Sequence, residues 1–260
     1  MIKGSLMKLP LIALLFSMAV STDAGATQIE SLYDQQRQRT VPVSLTLPQE
    51  PTSCSREKPC PVAFISAGYG VPHQEYQFIS RLLSSQGYLS VAIRHELKSD
   101  PPLSVSGNLY QTRQENWQRG AATLQFVRTQ LAKTMIHYDF DQVLLVGHSN
   151  GGDLSALLIN QGADFVTGLI TLDHRRVPLP RDRSISVFSI RASDFPADQG
   201  VLYTNQEQNL YNRCVITIPN AKHNDMTDNG PEWLKGTIAK LLTGYLQQSS
   251  CKQLSSLVTP

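Results

Sequence analysis

A chain of 260 residues with 41% hydrophobic and 17% charged residues has the balance of a globular protein. That excludes a disordered tail, a collagen-like fibre and a coiled coil. Its 23 basic and 21 acidic residues leave a net charge of only +2. No block of Lys and Arg stands out, so no nucleic-acid partner is expected. The length is enough for one large α/β domain with a sizeable core.

The first 26 residues read as a targeting segment. Lys3 and Lys8 supply positive charge, Leu9 to Val20 is apolar apart from Pro10 and Ser17, and Ala24-Gly25-Ala26 is a small-x-small site. This is the three-part pattern of a secretory signal peptide. An uncleaved anchor would need about 20 apolar residues, more than this run offers. The expectation is a protein exported to the periplasm or secreted, with a soluble mature domain over residues 27–260 and no stable membrane insertion. Four Cys in an exported chain favour disulfides over free thiols. Of the three possible pairings, Cys54–Cys60 would clip a polar, Pro-rich insertion, and Cys214–Cys251 would tie a late strand to the C-terminal tail. No Cys shows metal-ligand spacing, so neither a metal nor a cofactor is expected.

In chain order, Val41 to Leu47 alternates as a half-exposed strand does, and Glu50 to Pro61 is loop. Val62 to Ser66 is a short apolar strand ending in Ala67-Gly68-Tyr69-Gly70, a tight turn. Glu75 to Ser85 has helical spacing, and Tyr88 to Ile93 is the next strand. A loop over Lys98–Tyr110 precedes a long helix, Gln111 to Met135. Gln142 to Val146 is the most apolar strand, and a helix follows over Asp153–Asn160. Strands are predicted at Val166–Leu172, Ile185–Ile190 and Cys214–Ile218, and a helix over Glu232–Leu246 closes the domain. Alternating strands and helices, with several strands apolar on both faces, imply a mainly parallel sheet covered on both sides.

Between the apolar strand and its helix lies Gly147-His148-Ser149-Asn150-Gly151. A serine at the tip of so sharp a turn takes up a strained backbone, and residues two positions away must lack side chains. The next helix aims its N-terminus at the site, where free N–H groups favour developing negative charge. Such a serine needs a base, and the base an orienting acid. His223, after the last strand, is the base expected from its place downstream of the serine. His148 should point away from Ser149, His73 could line the site, and His95, His137 and His174 read as surface or loop residues. For the acid, Asp194 stands nearest the end of the strand before the histidine's strand. Asp198 is the alternate, and Asp173, one strand earlier, is the third candidate. Oxyanion donors are expected from the N–H of Asn150 and from the Gly68–Gly70 turn, Tyr69 ahead of Gly68.

Together these residues resemble the α/β-hydrolase family, over about Val41 to Leu246. The resemblance rests on the elbow Gly147 to Gly151, the Gly68–Gly70 turn, an Asp after Ile190, and His223, in the family's order. It implies an eight-stranded, mostly parallel sheet and a Ser-His-Asp hydrolase. One departure is Ala67-Gly68 at the oxyanion turn, where the family often has His-Gly. The 12 residues from Asp173 to Ser184 are too few for a large cap. The reading is therefore a serine hydrolase with an open site, cleaving small or polymeric carboxylic esters. An amidase or peptidase shares this triad, and a non-catalytic binding protein could keep the fold.

Overall fold

The computed structural model describes residues 27–50, 53–211 and 213–258; the proposed signal peptide lies outside them. Eight strands form one open sheet in the order β1-β2-β4-β3-β5-β6-β7-β8. Strands β1 (Thr27–Asp34) and β2 (Arg39–Thr46) make an antiparallel hairpin, and β2 pairs antiparallel with β4 (Leu89–Ile93). From β4 onward every pairing is parallel: β3 (Cys60–Ser66), β5 (Tyr138–His148), β6 (Val166–Leu172), β7 (Ser186–Arg191) and β8 (Cys214–Thr217). This is the expected eight-stranded α/β architecture.

The central strands are apolar on both faces because both faces are covered. Successive side chains point to opposite sides of a sheet. Val143 and Leu145 of β5 accordingly join a core with Trp117, Leu124 and Val127 of α3 (Gln114–Thr134) and Leu154 of α4 (Asn150–Asn160). Leu144 and Val146 face the other way, onto Ile79 and Leu83 of α1 (Gln77–Ser85) and Leu234, Ile238 and Leu241 of α6 (Glu232–Leu246).

Sequence and structure differ mainly at element ends. The long helix predicted from Gln111 is broken into α2 (Leu109–Thr112) and α3, with Arg113 between them. The predicted five-residue strand at Gln142 extends to eleven residues as β5. Three elements lack a sequence expectation: β1, α5 (Asn205–Tyr211) and α7 (Cys251–Ser256). Both expected disulfides are present, and Cys214–Cys251 fastens α7 to β8. The β6–β7 connection, residues 173–185, contains no helix or strand, so no helical cap lies there. No described helix is long and apolar enough to cross a membrane.

Candidate active site

The chain runs from β3 to β4 on one side, then returns to β5 on the other. Open α/β sheets bind ligands at the carboxyl ends of strands where the order reverses in this way. The loops leaving β3, β5 and β6 meet at that point.

β5 ends at His148 and α4 begins at Asn150, so Ser149 alone makes the turn. Its φ of 51° and ψ of −120° lie in a region that side-chain-bearing residues seldom occupy. The flanking glycines are demanded by close packing. A Cβ at Gly147 would collide with the Gly151 carbonyl, and one at Gly151 with the Ser66 and Ala67 carbonyls. Ser149 itself is half-buried between fully buried neighbours.

His223 starts a single 3-10 turn after β8 and is buried. Its Nδ1 lies 2.5 Å from Asp173 Oδ2, with Asp173 wholly buried at the end of β6. Oδ1 of the same carboxylate accepts from the Ala192 N–H (3.1 Å) and pairs with Arg191 (2.7 Å). Burial alone would raise the Asp173 pKa; the His223 hydrogen bond and the Arg191 charge outweigh it, so the carboxyl stays below its ordinary value. Asp173 has φ 49°, a left-handed conformation that Asp tolerates better than most residues.

The residue on the histidine ring is thus Asp173, not the expected Asp194 or its alternate Asp198. Asp194 is exposed in the loop after β7, three residues beyond its end, and its Oδ1 accepts from the backbone N–H of His223 (2.9 Å). Asp198 pairs with Arg176. The physical reason is strand order. β6 is the direct neighbour of β5, so Asp173, the residue that follows it, falls beside the elbow, whereas β7 is one strand further out.

The Gly68 N–H is already engaged by Tyr76 Oη (3.0 Å), whereas those of Tyr69 and Asn150 have no acceptor among the described residues. A Cβ on Gly68 would come within 2.9 Å of His148 Nδ1 and 3.5 Å of Ser149 Cβ, which sets how closely this turn approaches the serine. Asn150 is clamped from behind. Its Oδ1 accepts from Trp117 Nε1 (2.7 Å), and its Nδ2 donates to Asn116 Oδ1 (2.8 Å) and Glu96 Oε1 (3.2 Å). Burial raises the Glu96 carboxyl to about 7.

His148 turns away from Ser149 and bridges two loops. Its Nδ1 meets Tyr76 Oη at 2.7 Å and its Nε2 meets the His223 carbonyl at 3.0 Å. A carbonyl only accepts, so Nε2 carries the proton, and Tyr76 donates to Nδ1 while accepting from Gly68. Burial, then the nearby His223, lowers His148 to about 3, which keeps it neutral. His95 and His174 are buried rather than superficial: His95 Nε2 meets Ser66 Oγ at 2.9 Å, and burial lowers both rings to about 3. His73 is also buried and meets Ser44 Oγ at 3.2 Å. His137 is exposed, as expected.

Sequence reasoning missed Tyr76, Asn116, Trp117 and Glu96. Only a polar side chain inside an otherwise apolar helical stripe, as at Asn116, hinted at them. No described cluster of His, Cys, Asp or Glu could hold a metal ion.

The fold is shared with solved hydrolases. A ferulic acid esterase from Streptomyces cinnamoneus is 16% identical, covering 93% of this chain and 94% of its own, with a TM-score of 0.64. A putative dienelactone hydrolase from Klebsiella pneumoniae is 15% identical over 85% and 99% of the two chains, with a TM-score of 0.61. A thermophilic esterase from Thermogutta terrifontis is 10% identical over 87% and 95%, with a TM-score of 0.63. No family model matches the sequence, and no curated protein sequence is similar to it. The chain has the α/β-hydrolase fold.

Proposed function

We propose that the protein is a serine hydrolase that cleaves carboxylic esters by acyl transfer to water. Ser149 attacks the ester carbonyl, His223 takes its proton, and Asp173 holds the imidazole in the required tautomer. The N–H groups of Asn150 and Tyr69 receive the developing oxyanion. His223 then gives its proton to the departing alcohol oxygen, and water releases the acyl group by the same steps in reverse.

The observation that carries this reading is a positive-φ serine between β5 and α4, with a buried Asp173–His223 pair beside it. The esterases among the structural relatives favour an ester substrate. The short β6–β7 connection favours an open site for small or polymeric esters. Two disulfides and the N-terminal sequence pattern support export.

A fluorophosphonate probe followed by peptide mass spectrometry tests the assignment, with a short-chain aryl ester assay alongside. Labelling of Ser149 with ester turnover is expected, and Ser149→Ala should lose both while keeping its melting temperature. Turnover by Ser149→Ala would overturn the mechanism.

A further inference from the structure

Arg175 lies two residues beyond Asp173, and its backbone is held on both sides. Its N–H points at buried Asp153 Oδ1 (3.3 Å), and its carbonyl accepts from the Asp198 N–H (2.9 Å). The half-buried side chain is laid across an aromatic ring: its guanidinium carbon is 4.7 Å from the Phe195 centroid. Phe195 in turn meets the His223 ring edge-on at 6.3 Å. A cation is therefore stacked one ring away from the proposed base.

The neighbouring carboxylates are engaged elsewhere. Asp194 accepts the His223 N–H, Asp198 pairs with Arg176, Asp173 pairs with Arg191, and Asp153 accepts the N–H groups of residues 175–177. Among the described residues, Arg175 has no carboxylate at ion-pair distance. Arg113 belongs to the same field; burial, then the charge of Arg176, lowers its pKa, with Arg175 contributing. A half-buried, stacked guanidinium without a counter-ion, at the rim of a site, is suited to a planar anion.

In the hydrolase reading above, His223 would deliver its proton to the departing oxygen. Of the rings beside it only Phe195 is exposed among the described residues, which puts Phe195 rather than buried His148 on the side open to the alcohol half of an ester. Resting on the serine-hydrolase reading above, we propose that Arg175 recognises a carboxylate on the alcohol portion of the ester, whose flat part lies against Phe195. Arg175 acts in specificity: it binds the anion and takes no part in proton transfer.

The test compares 4-carboxyphenyl butyrate with 4-carbamoylphenyl butyrate, two esters of one shape that differ in charge. The wild-type protein, Arg175→Gln, Arg175→Lys and Phe195→Leu are each assayed on both. In Arg175→Gln the ratio of kcat/KM for the charged over the neutral ester is expected to fall about tenfold, through KM for the charged ester. The neutral ester should change by less than about twofold, since it makes no charged contact there. Arg175→Lys should keep part of the ratio, and Phe195→Leu should lower it about threefold by removing the platform. Added salt should lower the wild-type ratio. A ratio unchanged in Arg175→Gln, including a case where both esters slow equally, would overturn the proposal. Hydrolysis of neither ester by wild type, with no fluorophosphonate on Ser149, would instead overturn the hydrolase reading beneath it.

Discussion

The two sides of His223 are built from different materials. Its backbone carbonyl is held by a neutral chain, Gly68 N–H to Tyr76 to His148 to the His223 carbonyl. Its ring is held by a charged set, Asp173 with Arg191 behind it. Both are buried, yet the neutral chain fixes a position while the charged set would also favour the imidazolium that the proposed reaction forms. The difference teaches that burial here does not by itself select for or against charge. Around His223, charge lies on the side where the proposed chemistry develops it and is absent from the side that only holds the backbone.

Breaking the charged side should cost most. Arg191→Met leaves the buried Asp173 carboxylate short of its partner, and breaking a buried pair from one side costs about 3–5 kcal/mol. Urea unfolding at neutral pH reads this loss. Because the folded Asp173 pKa lies below its ordinary value, its contribution is present above that value and disappears as pH falls through the folded pKa. The deficit of Arg191→Met should therefore shrink in acid.

The buried neutral histidines, His148 of the neutral side and three others outside it, have a pH signature of their own. His73 is lowered to about 4, and His95, His148 and His174 to about 3, each chiefly by burial. The unfolded chain takes up protons on these rings below the ordinary histidine value of 6.5, and the folded chain does not. Stability should thus fall as pH drops from about 6.5 toward 4, at up to about 1.4 kcal/mol per pH unit for each ring. Thermal melts across that range should show this slope, and a flat profile would refute the neutral assignment. Tyr76→Phe is a smaller cut. It leaves the Gly68 N–H and His148 Nδ1 unpaired, at about 1–3 kcal/mol, and should lower kcat more than it raises KM.

Glu96→Gln is the mildest change and sharpens the contrast. Glutamine still offers an oxygen to Asn150 Nδ2. The folded carboxyl titrates near 7, above its ordinary 4.5, so wild type loses stability as pH rises between those values. The variant lacks that loss, so at pH 8 its Tm should lie above that of wild type by several degrees, with activity retained.

Much of this was legible in sequence, for reasons that differ by element. The elbow was readable because Gly147 and Gly151 are dictated by backbone collisions, which no other residue type avoids. The helix at Glu232–Leu246 has the predicted ends, with Pro231 preceding it. Strand β1 was not readable: it lies at the sheet edge with Ile29 and Tyr33 exposed, so burial imposes no alternation on it. The partner of His223 depended on spatial order. Asp194 and Asp173 both follow strands, and only the placement of β6 against β5 decides between them. Tyr76 and Glu96 act across distances in sequence that carry no local signal.

The central claim is that Asp173, rather than Asp194, orients the base. The direct measurement is kcat for Asp173→Asn and Asp194→Asn on one neutral aryl ester, with folding checked by melting temperature. Asp173→Asn is expected to lose about 10⁴-fold in kcat, and Asp194→Asn, whose side chain meets the His223 backbone N–H rather than the ring, less than about tenfold. The reverse order, or near wild-type turnover by Asp173→Asn, would contradict the account.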